Sequence, residues 1–403
     1  MLRKFFLLIK FFLKSKIVFK KPQQKNIVLF DQAGSSEFVN VLQNKKFFLM
    51  ANRPHHIKKI YLSPRLIFLF IKNFNTNLAT TYFISLLETI KPKIVITFSD
   101  NSYKFSDLAK ILNKKIKFFA IQNAFRLDVL ENHFRFKKKL AKYDLNKKFF
   151  IPYFFCLGQF EINFYKKYKI KVGKILKVGS LRLSNAIYYF KSKNINFDKK
   201  FYDVCLISDT TYNAHFLNET KNNILEFKNL KNGLAQVVKY TINFCIKNKK
   251  KLIFITKNKK FDKAFIKEIN FYKKRLTKDE YKFLIKSLHK KYLNNYNSYL
   301  AMFRSEVTVS TISTMLSENL AVGNKVLACN LTYIKVLNFP IKKICSINNC
   351  NYNSFEKRLS KVLFLSRKKY FSELGKQKNY LVTFNKKVST IDLLRRQLNR
   401  FSQ

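Results

Sequence analysis

From residue 27 onward the chain alternates short apolar runs with longer stretches of helical period. Runs at residues 27–30 (IVLF), 47–50 (FFLM), 94–98 (IVITF), 118–122 (FFAIQ) and 153–157 (YFFCL) predict strands covered on both faces. Residues 81–90 and 103–112 carry apolar side chains at helical spacing between them. Strands that alternate with helices pair in parallel through crossovers, which predicts a doubly wound α/β domain. A Lys/Asn-rich stretch at residues 191–200 (KSKNINFDKK) interrupts the rhythm. It then resumes with a strand at 203–208, a long helix around 233–247, a strand at 252–256 and helices to about residue 288. The expected organisation is a first α/β domain over 22–190, a linker over 191–200, a second domain over 201–380 and a closing C-terminal helix over 381–403. Two such domains facing across a cleft turn the carboxyl ends of their strands toward each other, where ligands of open α/β sheets bind.

Residues 305–327 (SEVTVSTISTMLSENLAVGNKVL) carry the densest signal for chemistry. Val307 and Val309 mark a strand, and Ser310, Thr311, Ser313 and Thr314 crowd the turn at which the next helix begins. Backbone N–H groups and hydroxyls at such a turn suit an anion. Glu318 follows Thr314 by four residues, so its carboxylate lies on the hydroxyl face, roughly 6 Å along the helix, within reach of a ribose beside the phosphates. Simple capping is the competing reading, with Glu318 serving the helix dipole. A capping box, however, needs Ser or Thr three residues before the Glu, and Met315 stands there. Gly323 is the expected helix stop and Lys325 begins the return strand.

Charge changes the picture less than its size suggests. The 80 basic and 23 acidic residues of the 403 give +57, which on its face points to nucleic acid. The excess is mostly Lys, accompanies Asn, Ile, Phe and Tyr with no Trp, and is spread along the chain instead of forming an arm. We therefore expect no nucleic-acid partner but a field that favours anionic ligands and lipid headgroups. Residues 1–21 interleave Phe5, Phe6, Leu7, Leu8, Ile9, Phe11, Phe12 and Leu13 with Lys4, Lys10, Lys14 and Lys16. That run is too short to span a bilayer and predicts either a basic amphipathic helix on an anionic membrane surface or a first helix packed on the domain. The six cysteines form no CxxC pair and sit mostly in apolar runs, which predicts reduced core residues and a cytoplasmic protein. Seven glycines supply neither GxGxxG nor GxxxxGKS, against a Rossmann dehydrogenase or a P-loop ATPase. No Asp/Glu grouping has metal-ligand spacing, so neither metal nor cofactor is expected.

The remaining candidates are polar residues at strand ends. Asp31, Gly34 and Ser35 lie in the first βα loop (DQAGSS), where Gly34 would let backbone approach a ligand and Ser35 or Ser36 would cap the next helix. Asp100, with Asn101 beside it, is the first candidate for a base that takes the acceptor hydroxyl proton, and Asp31 is its competitor. An Asp in such a turn also serves as a helix cap. Gln122, Asn123 and Arg126 follow the next strand, where amides suit sugar hydroxyls and Arg suits a carboxylate or phosphate. In the second domain Asp209, Thr210, Thr211 and His215 follow the first strand, with His215 as a candidate acid or phosphate partner, or simply a solvated loop histidine. Lys257, just after LIFIT, adds a cation at another strand end.

Three strings add a resemblance. Residues 94–126 (IVITFSDNSYKFSDLAKILNKKIKFFAIQNAFR), 155–182 (FCLGQFEINFYKKYKIKVGKILKVGSLR) and 310–327 (STISTMLSENLAVGNKVL) resemble bacterial surface carbohydrate biosynthesis proteins, and the last also resembles the donor sites of GT-B glycosyltransferases. Ala124 departs from the Gly expected after Gln-Asn. The resemblance implies a GT-B-like fold of two Rossmann-like domains. It also implies transfer of a sugar from a nucleotide-sugar donor to a glycan or lipid-linked acceptor in capsule, O-antigen or related synthesis. With the basic segment 1–21 and the reduced cysteines, the expected location is the cytoplasm, peripheral at the inner face of the cytoplasmic membrane. Two alternatives remain: a CDP-linked polyol-phosphate transferase, and a basic non-enzymatic protein that binds nucleic acid or membrane.

Overall fold

The computed structural model describes residues 15–53, 56–74, 77–125, 149–209, 224–258, 262–289 and 296–402. Arg126, Thr210, Thr211 and His215 lie outside these residues. The chain divides into two compact units. One comprises Met1–Asn123, Leu140–Asn185 and Asn385–Gln403, the other Ala124–Lys139 and Ala186–Phe384.

The first unit contains β1 (Lys16–Val18), β2 (Ile27–Phe30), a one-turn α1 (Val39–Leu42), β3 (Phe47–Met50), β4 (Lys59–Tyr61), α2 (Pro64–Lys72), α3 (Leu78–Ile90), β5 (Ile94–Thr97), α4 (Tyr103–Leu112), β6 (Lys117–Ile121), β7 (Phe150–Cys156), α5 (Gln159–Lys167), β8 (Lys171–Lys177) and the start of α6 (Leu181–Ser192). Six strands form a wholly parallel sheet in the order β3-β2-β5-β6-β7-β8. Ile27–Phe30 and Ile94–Thr97 are buried at every position, as their unbroken apolar runs require of strands covered on both faces. Ser102, not Asp100, caps α4, accepting from the Phe105 N–H at 3.3 Å. Residues 16–18 are a strand paired with β4 and not part of an N-terminal helix; residues 1–14 lie outside the description.

The second unit holds β9 (Tyr202–Ile207), α7 (Ile224–Lys247), β10 (Leu252–Ile255), α8 (Lys263–Lys273), α9 (Lys278–Lys286), α10 (Asn297–Phe303), β11 (Ser305–Ser310), α11 (Thr314–Val322), β12 (Lys325–Asn330), β13 (Ser346–Asn348), α12 (Tyr352–Phe364) and α13 (Arg367–Leu374). Its five strands are parallel in the order β10-β9-β11-β12-β13. Gly233 on α7 is needed for close packing: a Cβ there would come within 2.5 Å of the Leu331 carbonyl and Thr332 Cα. The polar stretch 191–200 is pinned to this unit. Phe197 packs its ring on Phe190 and Phe303, and Lys200 Nζ donates to the Phe303 carbonyl and to Asn324 Oδ1. Burial lowers the Lys200 pKa to about 8.

The final helix, α14 (Thr390–Ser402), returns to the first unit. Ile391, Leu394 and Leu398 enter its core beside Phe38, Leu42 and Phe98, and the Arg395 guanidinium donates twice to the Asn40 carbonyl, at 2.9 and 2.6 Å. Five cysteines are buried and Cys350 is partly exposed. No described helix is long and apolar enough to cross a membrane.

Candidate functional site

Each sheet reverses its strand order at its first central strand. In the first unit the chain goes from β2 outward to β3, then crosses to β5 on the other side of β2. In the second it goes from β9 to β10 and crosses back to β11. Such switch points open a crevice at the carboxyl ends of the strands. The two crevices contain most of the polar residues singled out in the sequence.

In the second unit, Asp209 after β9 and the turn after β11 meet directly. Asp209 Oδ2 accepts from Ser310 Oγ (2.6 Å), the Thr311 N–H (2.7 Å) and the Ile312 N–H (3.0 Å). The first part of the hydroxyl-rich turn, expected to cradle an exogenous anion, is thus filled by the protein's own carboxylate. Ser310 and Thr311 shape the loop, and both are buried. The helix behind them is different. Ser313 is the N-cap residue of α11 yet makes no side-chain cap bond, and Ser313 and Thr314 are partly exposed. Thr314 Oγ1 accepts from the Phe125 N–H at 3.0 Å. Lys257 follows β10 and its charge acts on Asp209. Glu268 on α8 fixes that loop, accepting from the Lys257 N–H (3.0 Å) and from Asn258 N–H and Nδ2 (3.1 and 2.9 Å).

Glu318 is 1% exposed, and its Oε2 accepts from the Tyr299 hydroxyl of α10 at 2.8 Å. The i,i+4 spacing does place it one turn below Thr314, but within the unit and not on its rim.

Burial pushes the Asp209 carboxyl above its ordinary value, against the opposing pull of the three hydrogen bonds and Lys257. The folded state therefore holds this proton more tightly than the unfolded state. The stability it contributes is present below the ordinary carboxylate range and is lost as pH rises through the folded value. Asp209→Asn keeps one oxygen for all three donors and removes the ionisation. Its melting temperature relative to wild type should therefore rise between about pH 4 and pH 7. Thermal melts of both proteins across that range check the sign; a relative fall would contradict it.

In the first unit, Asp31 is a committed ion-pair partner. Its Oδ2 accepts from Arg53 Nε at 2.7 Å and Ser99 Oγ at 3.4 Å, and its Oδ1 from the Ala33 N–H at 3.2 Å. Arg53 Nη2 donates in turn to Ser99 Oγ at 3.3 Å, and His56 Nδ1 lies 3.8 Å from Asp31 Oδ1. Asp31 also holds φ 86, a left-handed conformation that Asp tolerates better than most residues. Gly34, at φ 77, faces Phe98, whose ring a Cβ would strike; the missing side chain admits an aromatic ring and not a ligand. Ser35 and Ser36 do not cap: the short helix after Gly34 has no side-chain cap bond, and the Ser35 N–H donates to the Gln32 carbonyl at 3.1 Å. Asp100 is fully buried just past β5, and Asn101 beside it is exposed. Gln122 ties two strand ends together, its Oε1 accepting from the Leu157 N–H at 2.8 Å, while Asn123 is partly exposed. Sequence reasoning missed Arg53, His56 and Ser99 around Asp31, and Glu268 and Tyr299 in the second unit. Arg53 follows the FFLM strand by three residues, the same strand-end position that singled out Asp31 and Asp100.

No family model matches the sequence, and no curated protein matches it. Solved structures do. A wall teichoic acid polymerase, TagF, in a variant soaked with CDPG, aligns with a TM-score of 0.50 at 10% identity, covering 98% of this chain and 93% of its own. A putative UDP-N-acetylglucosamine 2-epimerase from Listeria monocytogenes aligns with a TM-score of 0.50 at 8% identity, covering 93% and 95%. The fold is of the GT-B type. At these identities the likeness fixes architecture and leaves chemistry to the residues. Among the described residues no grouping of His, Cys, Asp and Glu could hold a metal ion.

Proposed function

We propose that this chain is a transferase of cell-surface glycan synthesis that takes a nucleotide-diphosphate-linked donor at the N-terminus of α11. The observation that carries the reading is the construction of the β9/β11 crevice. A helix start without a side-chain cap follows a loop held by Asp209, with Lys257 nearby and Glu318 one turn on. In this reading Ser313, Thr314 and the first N–H groups of α11 receive the diphosphate, and Lys257 offsets the charge that develops on the leaving nucleotide. Ser310 and Thr311 hold the loop; Glu318, buried against Tyr299, receives a ribose hydroxyl only where the ribose enters the crevice below Thr314. On the acceptor side, Asp100 takes the proton as the acceptor oxygen attacks. Asn101, Gln122 and Asn123 on the first unit are assigned to orienting the acceptor, and Arg126 remains a candidate from the sequence alone. Asp100 is the first candidate for the proton-accepting role, with Asp31, which is paired with Arg53, and His215 behind it. The protein acts in the cytoplasm at the membrane surface.

Transfer of a sugar is the first form of this reading. Transfer of a polyol phosphate from a CDP-linked donor is the second, favoured by the likeness to a teichoic acid polymerase that was soaked with CDPG. Both use the same diphosphate cradle. A thermal-shift panel of CDP, UDP, GDP and RNA separates them: stabilisation by UDP or GDP supports sugar transfer, and a preference for CDP supports the polyol-phosphate form or a cytidine-linked sugar. Stabilisation by RNA alone would overturn both in favour of a non-enzymatic binding protein.

A further inference from the structure

Helix α2 presents its apolar side outward. The local sequence makes it a well-formed helix: Ser63 caps it, accepting from the Leu66 N–H, and Pro64 occupies the first turn. Only Leu66 is buried. Ile67, Phe68 and Ile71 are 43%, 66% and 68% exposed, and the surface continues into Phe74 just past the helix and Leu78 at the start of α3, 65% and 58% exposed. Ile67 and Ile71 are one turn apart on the helix, and the Phe74 ring packs edge-on against Phe70 at 6.3 Å. Phe19, 70% exposed, lies close to the start of the helix, because the Leu62 N–H donates to the Val18 carbonyl.

An isolated exposed Leu or Phe needs no explanation, but Ile67, Phe68 and Ile71 exposed together on one helix, with Phe74 just beyond it, mark a contact surface. The charge around it identifies the partner. Arg65 and Lys72 flank these side chains and are exposed, as are Lys16, Lys20 and Lys21 beside Phe19. Residues 38–87 contain no Asp or Glu, and neither do residues 1–30. A second copy of this chain would bring the same cationic rim against itself, which disfavours self-association. An anionic lipid surface meets both requirements, since it takes apolar side chains at the acyl boundary and basic ones among the headgroups.

We propose that α2, with Phe19, Phe74 and Leu78, is a bilayer-docking face of the folded first unit, and that its partner is anionic phospholipid. This deepens the membrane-surface part of the proposed function by naming the docking side chains and the lipid, and it does not depend on the transferase chemistry. It also differs from the expectation placed on residues 1–21, because most of the docking side chains belong to α2 and its flanks.

The test is co-sedimentation of the full chain with phosphatidylcholine vesicles containing about 30% phosphatidylglycerol, a composition chosen for its anionic surface. Replacing Ile67, Phe68, Ile71 and Phe74 together by Gln should reduce the partition coefficient at least about a hundredfold, while the melting temperature stays near wild type because these side chains contact solvent. Replacing Arg65 or Lys72 by Gln should weaken binding about fivefold each, and added salt should weaken the wild type in the same way. Wild-type partitioning by the folded quadruple variant overturns the proposal. So does conversion of an oligomer to a monomer with vesicle binding unchanged, which would assign the face to a second copy. Should the quadruple variant not fold, charge variants that bind as wild type overturn it independently.

Discussion

Asp100→Asn is expected to lower transfer by about 10²–10⁴ while nucleotide binding stays close to wild type, the signature of a lost general base. The substitution keeps shape and removes basicity. Two structural facts direct the choice. Asp31, the sequence's other first-unit carboxylate, has Oδ2 engaged by Arg53 and Ser99 and Oδ1 by the Ala33 N–H, so its replacement should cost stability before chemistry. Asp100 sits at the end of β5, beside the switch point, with exposed Asn101 next to it. Its full burial sets a condition: the acceptor hydroxyl must enter the crevice and not remain at the rim. Steady-state transfer rates and nucleotide titrations on the same preparation check the prediction. Near-normal transfer in folded Asp100→Asn would remove the residue from the reaction.

Glu318→Gln is expected to weaken nucleotide-diphosphate binding by about 1.5–3 kcal/mol, the range for hydrogen bonds to a charged acceptor. Gln is the informative replacement because Glu318 is buried and accepts from Tyr299; Ala would leave a void and disturb that hydroxyl as well. Gln preserves one acceptor oxygen and the volume, so the fold should hold while a ribose that relies on the carboxylate loses its partner. Calorimetric titration of nucleotide into both proteins gives the difference. Equal affinities would leave Glu318 as an internal anchor between α10 and α11.

Much of the architecture was legible from periodicity. Residues 27–30 and 47–50 coincide with β2 and β3, and 103–112 with α4, because unbroken apolar runs and helical spacing are local signals. The strands missed include the short β4 and β13 and the Lys-rich β8, whose partners and not their composition define them, and the apolar nine-residue α2 was missed as well. For the candidate site, the sequence marked positions more readily than partners. Strand-end polar residues did fall at the two switch points. Which group is free to meet a ligand depends on long-range partners: Asp209 reaches the turn at Ser310 across 101 residues, and Arg53 reaches Asp31 across 22. No local pattern encodes those pairings. The same holds for Gly34, where the residue type signalled a close approach but only the packing names Phe98 as what approaches.

The central claim is that the α11 N-terminus receives a diphosphate, and the comparison of a nucleoside diphosphate with its monophosphate tests it most directly. Calorimetric titration of CDP and CMP, and of UDP and UMP, into the full-length protein isolates the second phosphate with the base and ribose held constant. The account predicts that one diphosphate binds at least about tenfold more tightly than its monophosphate, as expected for charge-assisted hydrogen bonds to helix N–H groups and Lys257. Equal affinity for diphosphate and monophosphate in every pair would contradict it.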